Sequence, residues 1–172
     1  MKALFLDRDG VLNVLRPNDY VKCPDELVLL PGVEEALDIC RQKFSRIFIV
    51  TNQQGIGKGL MTESDLEGIH RKLLDAVGPI DRIYHCPELE RAHSFRRKPN
   101  IGMALQARKD FPDVRLKECV MVGDSKTDML FGRRAGMTTV LVGNNSTVAT
   151  DQPYLVDYHY SSLLEFAQQS WS

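Results

Sequence analysis

A chain of 172 residues with 43% hydrophobic and 26% charged residues is the size of one folded domain that buries a core without disulfide or metal staples. Its formal net charge of -1 supplies no basic face of the kind a general nucleic-acid binder shows. No apolar run approaches the ~18 residues of a membrane helix, and the start moves directly into a strand rather than through a charged and apolar leader. One unit over residues 1–172, cytoplasmic and more readily a monomer than an oligomer, is therefore expected. Cys23, Cys40, Cys86 and Cys119 show no Cys-x-x-Cys spacing and read as reduced, structural thiols.

In chain order, Ala3–Leu6 is a short apolar run typical of a parallel strand covered on both faces, and it ends in Asp7-Arg8-Asp9-Gly10-Val11. Open α/β sheets bind ligands at the carboxyl ends of their strands. Two acids placed there repel each other and call for a cation, and Mg²⁺ is the usual ion where few carboxylates act with phosphate and water. A polar turn at Asp9-Gly10 would explain the same residues without chemistry. After the irregular stretch Asn13–Leu30, Val33–Lys43 carries Val33, Ala36, Leu37 and Cys40 at helical spacing. A second strand, Arg46–Val50, ends in Thr51-Asn52-Gln53.

Gly55-Ile56-Gly57-Lys58-Gly59 is no nucleotide loop, because a P-loop would need Gly at Asn52 and Ser or Thr at Gly59. These glycines read as a tight turn that lets backbone approach a substrate, with Lys58 more readily a solvated loop residue than a phosphate-binding one. Thr62–Ala76 opens with a capping-box pattern, Thr62-Glu63-Ser64-Asp65, and should turn Leu66, Ile69, Leu73 and Leu74 inward. A strand at Arg82–His85 leads into the irregular stretch Pro87–Asn100, which contains Arg96-Arg97-Lys98-Pro99. Further helices fall at Gly102–Lys109, at Asp128–Ala135 with Gly136 as its stop, and at Ser162–Gln169. Strands fall at Val120–Val122, Thr139–Val142 and Asp157–Tyr160, the first of them ending in Gly123-Asp124-Ser125-Lys126-Thr127-Asp128.

This alternation gives an α/β class with one doubly wound, Rossmann-like parallel sheet flanked by helices. The intervals between Asp9, Thr51 and Lys98 are filled by a helix and its neighbours, so no separate cap domain fits. Three Asp, a hydroxyl and a Lys at successive strand ends suit phosphoryl transfer. A carboxylate attacks phosphorus to form an aspartyl-phosphate, a second carboxylate moves the proton, and Mg²⁺, Lys, hydroxyl and amides neutralise the phosphoryl oxygens.

Asp7-Arg8-Asp9-Gly10-Val11, Thr51-Asn52-Gln53, Arg97-Lys98-Pro99 and Gly123-Asp124 resemble the four ordered motifs of the haloacid-dehalogenase-type phosphohydrolases. The resemblance implies Asp7 as nucleophile and metal ligand, and Asp9 as general acid/base with its main-chain carbonyl on the metal. It places Thr51 and Lys98 on the phosphoryl group and Asp124 on Mg²⁺. Asp128 reads equally as a group that orients Lys98 or a metal-bound water and as an exposed acid in a first helical turn.

Asp7–Asn13, Thr51–Ile56 and Arg97–Met103 are similar to the histidinol-phosphate and heptose-bisphosphate phosphatase subfamily. That implies substrate contacts from Asn52, Gln53 and Arg97, with the organic part of the substrate against Leu15–Tyr20. Two departures stand out. Of the subfamily's zinc-loop ligands only Cys86 is kept, with Glu88, Ser94 and Arg96 at the other three positions, so zinc is not expected. His85 and His93 read as solvated, and of Arg91, Arg96 and Arg97 only Arg97 carries weight by position. Ser125 and Lys126 follow Asp124 where relatives place Lys directly. The expected activity is Mg²⁺-dependent phosphatase action on a small phosphorylated metabolite, first D-glycero-D-manno-heptose 1,7-bisphosphate and then histidinol phosphate. A nucleic-acid 3′-phosphatase, a phosphomutase and a non-catalytic binding module rank below these.

Overall fold

Six strands form one sheet among residues 2–144 and 146–169, which the computed structural model describes. They are β1 (Ala3–Leu6), β2 (Arg46–Asn52), β3 (Arg82–Cys86), β4 (Val120–Gly123), β5 (Thr138–Val142) and β6 (Tyr158–Tyr160). Their order is β3-β2-β1-β4-β5-β6, and every neighbouring pair is parallel. Helices α1 (Val33–Lys43), α2 (Gln54–Gly57), α3 (Glu63–Val77), α4 (Gly102–Asp110), α5 (Lys126–Ala135), α6 (Ser146–Asp151) and α7 (Leu163–Gln168) connect and cover it.

Alternation along the strands divides the core into two layers. Leu4, Leu6, Ile47 and Ile49 pack with Val33 and Leu37 of α1 and with Ile69 and Leu73 of α3. Ala3, Phe5 and Phe48 face the other way, onto Met103 and Ala104 of α4 and Phe131 of α5. Phe5 and Phe48 meet at 5.1 Å between ring centroids. Both sheet faces are covered, which is why the strands read as unbroken apolar runs.

Element edges shift by a residue or two from the sequence reading. β2 continues to Asn52 because Thr51 and Asn52 still pair with His85 and Cys86 of β3. α5 starts at Lys126 because the Ser125 hydroxyl caps the Asp128 amide at 3.3 Å. The capping box of α3 forms in both directions, Asp65 N to Thr62 Oγ1 at 3.1 Å and Thr62 N to Asp65 Oδ2 at 2.8 Å. Its buried stripe is Leu66, Ile69, Leu73 and Val77, and Leu74 lies at the margin, one position off the 3.6-residue period. Gly136 ends α5 in a left-handed conformation, φ +78, as its position suggests. The glycine run after β2 folds into α2, and a Cβ on Gly57 would lie 2.6 Å from the Pro87 carbonyl oxygen. Gly57 thus brings its backbone against the opposite loop, donating to the Pro87 carbonyl at 3.1 Å.

The chain runs outward from β1 to β2 and β3 and then returns to place β4 on the other side of β1. The crevice at such a reversal of strand order is where an open α/β sheet binds its ligand. Among the described residues, no helix is long and apolar enough to cross a membrane. Cys40, Cys86 and Cys119 are buried free thiols, and Cys23 is a half-buried one.

Candidate active site

Asp7 follows β1 directly and Asp124 follows β4, so the two carboxylates stand on either side of the strand-order reversal. Asp128 reaches the same point from the first turn of α5. Carboxylate oxygens of Asp7, Asp124 and Asp128 lie within 4.8 Å of one another. Lys98 enters from the loop after β3 and donates from Nζ to Asp7 Oδ1 at 2.8 Å and to Asp128 Oδ1 at 2.6 Å. The ammonium is buried, with only 3% of the side chain exposed. Burial works against its charge, yet Asp128 and Asp7 overcome that cost and hold the Lys98 pKa above its ordinary value. Asp128 Oδ2 also accepts from the Asp124 amide at 3.2 Å and from the Ser125 hydroxyl at 2.9 Å. Of its two sequence readings, the exposed helix acid is therefore excluded: Asp128 is buried and binds Lys98.

The Asp9 carboxylate is held apart from this cluster. Arg8 Nη2 donates to both of its oxygens at 2.9 and 3.1 Å, Asn13 Nδ2 to Oδ1 at 2.9 Å, and Gln53 Nε2 to Oδ2 at 3.0 Å. Burial pushes the Asp9 carboxyl upward, but the Arg8 charge and the amide hydrogen bonds outweigh it and hold the group below the ordinary carboxylate range. Gln53 also donates to Thr51 Oγ1 at 2.8 Å, which fixes the hydroxyl oxygen and leaves its proton to donate. Asn52 forms a paired bridge to main chain, Nδ2 to Lys98 O and Lys98 N to Oδ1, both at 3.0 Å. The Lys98–Pro99 peptide that follows is cis.

A cleft of about 510 Å³ opens over these groups. Asp7, Asp9, Asn52, Gln53, Lys98 and Asp124 reach its wall, and so does Arg97. Thr51 lies just beneath, 1% exposed. Leu15, Arg16, Asp19 and Tyr20 form one side, the segment that the sequence set against the organic part of a substrate. His93 and Ser94 stand opposite. Arg96 instead donates to the His85 carbonyl at 2.8 Å, and His85 pairs with Glu63. Cys86, the one retained zinc-loop position, donates its thiol to Glu88 at 2.6 Å.

Sequence reasoning assigned no role to Arg8, Asn13 or His70. Arg8 is fully buried, and its signal was a charged residue between two motif acids at the end of an otherwise apolar strand. His70 stands four residues after Leu66 on the inner side of α3, where a polar side chain requires a partner. It accepts from Arg8 Nη1 at 3.1 Å.

The three-carboxylate cluster suits a hard divalent cation, for its donors are all oxygen. Gly10, at φ +88, lets Asp124 sit against main chain: a Cβ there would lie 1.9 Å from Asp124 Oδ2. Gly10→Ala is expected to weaken Mg²⁺ binding about 10- to 100-fold, the cost of disturbing a ligand's support. Thermal-shift titration with MgCl₂ measures it, and an unchanged midpoint would contradict the placement.

Without a cation the acids oppose one another. Burial first and Asp128 second push Asp124 up to about 7, and the same two causes raise Asp7 well above its ordinary value. Folded protein then binds more protons than unfolded chain between the usual carboxylate range and pH ~7, so stability falls as pH rises through that window. The Tm of metal-free protein should drop from pH 5 to pH 8, and Mg²⁺ should remove most of the drop. Calorimetry with EDTA and with MgCl₂ tests this, and a flat metal-free profile would count against the cluster.

The HAD-hydrolase-like family model matches residues 95–166. The chain is 38% identical over 83% of its length and 83% of the relative's to a D-glycero-alpha-D-manno-heptose-1,7-bisphosphate 7-phosphatase of Campylobacter jejuni. It is 34% identical, over 78% and 79%, to a D-glycero-beta-D-manno-heptose-1,7-bisphosphate 7-phosphatase of Rhodopseudomonas palustris. Its fold superposes with a TM-score of 0.87 on a D,D-heptose 1,7-bisphosphate phosphatase from B. bronchiseptica, crystallised with magnesium and phosphate. That pair is 32% identical over 98% and 97% of the two chains.

Proposed function

The chain belongs to the haloacid-dehalogenase-like hydrolase family and is a phosphoric monoester hydrolase, and from that premise we propose that it is a Mg²⁺-dependent phosphatase of D-glycero-D-manno-heptose 1,7-bisphosphate. One observation carries the mechanism. A buried lysine bridges two of three converging carboxylates at the strand-order reversal, and that arrangement suits a dianionic phosphoryl group facing a carboxylate nucleophile.

Asp7 and Asp124 would hold Mg²⁺ with the Asp9 carbonyl, and the ion supplies neutralisation of phosphoryl charge. An Asp7 carboxylate oxygen attacks phosphorus and the bond to the sugar oxygen breaks. Asp9 gives that leaving alkoxide its proton. Asp9 then takes a proton from water, the water oxygen attacks phosphorus, and the phosphorus–Asp7 bond breaks to regenerate the carboxylate and release phosphate. The donors around Asp9 favour its anionic form, which suits the second step, and a dianionic phosphoryl group arriving beside it raises its proton affinity for the first.

Lys98 and the Thr51 hydroxyl meet the phosphoryl oxygens, and Asp128 holds Lys98 in place. Arg97, Asn52 and Gln53 line the substrate cleft, while the last two also fix the Lys98 main chain and Asp9. All these groups come from one chain, so a monomer suffices, and it works as one domain with a site walled by loops. Four free thiols suit the reducing cytoplasm, the compartment assigned here.

Phosphate release from both anomers of the heptose bisphosphate, from histidinol phosphate and from nucleoside monophosphates, with and without MgCl₂, tests the reading. The expected result is Mg²⁺-dependent release with the highest kcat/KM on a heptose bisphosphate anomer. Preference for histidinol phosphate would replace the substrate, and no release from any would overturn the proposal.

A further inference from the structure

We propose that His70 is a positioning residue for proton transfer, acting through Arg8 on Asp9, an inference that rests on the phosphatase reading above. Arg8 is a cation with no exposed surface, and a guanidinium cannot accept a hydrogen bond. Among the described residues its side chain bonds only two groups. Nη2 grips the two Asp9 oxygens, Nη1 donates to His70 Nε2 at 3.1 Å, and Nε is buried with no partner.

Two conclusions follow from donor counting. His70 Nε2 must be the bare nitrogen of a neutral imidazole protonated at Nδ1. Moreover, the guanidinium has a single tether besides the carboxylate it positions. Without that tether it could turn about its contact with Asp9, and Asn13 and Gln53 alone would orient the acid.

His70 does not line the cleft that receives phosphate. It lines a separate opening between α3 and β3, with Glu63, Glu67 and His85 at the rim. The hydrogen bonds that join a substitution there to Asp9 run through Arg8. The helix supports the geometry, since Ile69 and Leu73 on either side are fully buried in the core and fix the rotation of α3.

The test separates proton transfer from general stability. An alkyl phosphate needs a proton on its leaving oxygen, whereas p-nitrophenyl phosphate leaves as a stabilised phenolate and does not. In single turnovers at saturating substrate, His70→Leu should slow release of the alcohol from an alkyl phosphate about 10-fold, a fraction of what acid catalysis supplies, with KM unchanged. The single-turnover release of p-nitrophenolate should stay within about 2-fold, since forming the aspartyl-phosphate from that substrate needs no acid, whereas its later hydrolysis is common to both substrates. His70→Gln, whose side-chain oxygen can accept from Arg8, should restore most of the loss. Equal losses on both substrates, no loss on either, or failure of Gln to rescue a folded protein would overturn the proposal.

A second readout does not depend on activity. ¹⁵N NMR of the wild-type protein should show His70 protonated at Nδ1 and bare at Nε2 at neutral pH, and a proton on Nε2 would overturn the contact. Wild-type protein without Mg²⁺-dependent phosphate release would refute the phosphatase reading itself, and the NMR result would still decide the Arg8–His70 bond.

Discussion

Asp7→Asn is expected to reduce phosphate release by at least ~10⁴-fold while leaving the fold intact, the scale on which removal of an enzymic nucleophile is felt. The carboxylate cannot be replaced by its neighbours. Asp9 is occupied by Arg8, Asn13 and Gln53, and Asp128 by Lys98, Ser125 and the Asp124 amide. Neither is free to take over the attack. Stability should hold or rise in the metal-free protein, because the substitution removes one of three mutually repelling buried acids. Single-turnover trapping of a phosphorylated wild-type enzyme, absent in the variant, checks the same assignment by a different route. Undiminished Mg²⁺-dependent release from Asp7→Asn would sink the mechanism.

Lys98→Met should carry the second largest effect, and it strikes stability and activity together. A methionine matches the length of the stem but leaves Asp7 and Asp128 without their cation. Breaking a buried pair by removing one partner costs about 3–5 kcal/mol, on the order of 10 °C in Tm for a chain of this size. Loss of a charged donor to the transferring group costs a further ~10²–10³ in kcat. The sign with pH is fixed by the same acids. Burial and Asp128 raise the pKa values of Asp7 and Asp124 while the Lys98 charge opposes the rise, so without Lys98 the destabilisation should be larger at pH 8 than at pH 5. Calorimetry across that range measures it, and Mg²⁺ should return part of the lost Tm. A variant that melts with the wild type at pH 8 would show that Lys98 is not the cation of this cluster.

The sheet was legible because both of its faces are covered. Runs such as Ala3–Leu6 and Ile47–Val50 are apolar without interruption, and the abrupt change to Asp7 and Thr51 marks where each run meets the polar site. Helix α2 was not legible, being four residues that include two glycines and too short for any periodicity to register. Asp128 kept two readings because its partner, Lys98, arrives from a loop that only the tertiary structure brings there. Asn52 and Gln53 were placed at the substrate by resemblance, and they do line the cleft. Their amide groups also bond the Lys98 main chain and Asp9, contacts that no spacing rule encodes. Arg8 and His70 were missed together, since their bond joins side chains from the end of β1 and from α3.

The position of β1 between β2 and β4 also governs when the site comes into being. Leu4 pairs with Val120 across more than a hundred residues of chain, so the contact that brings Asp124 beside Asp7 is among the least local in the molecule. Loop-closure entropy delays such pairings until nearer contacts have formed. During synthesis β1 leaves the ribosome first, yet it remains half of an incomplete reaction centre until β4 arrives. Chains that stop or stall before Val120 would retain β1, β2 and β3 but lack Asp124 and Asp128, and so would have no catalytic power.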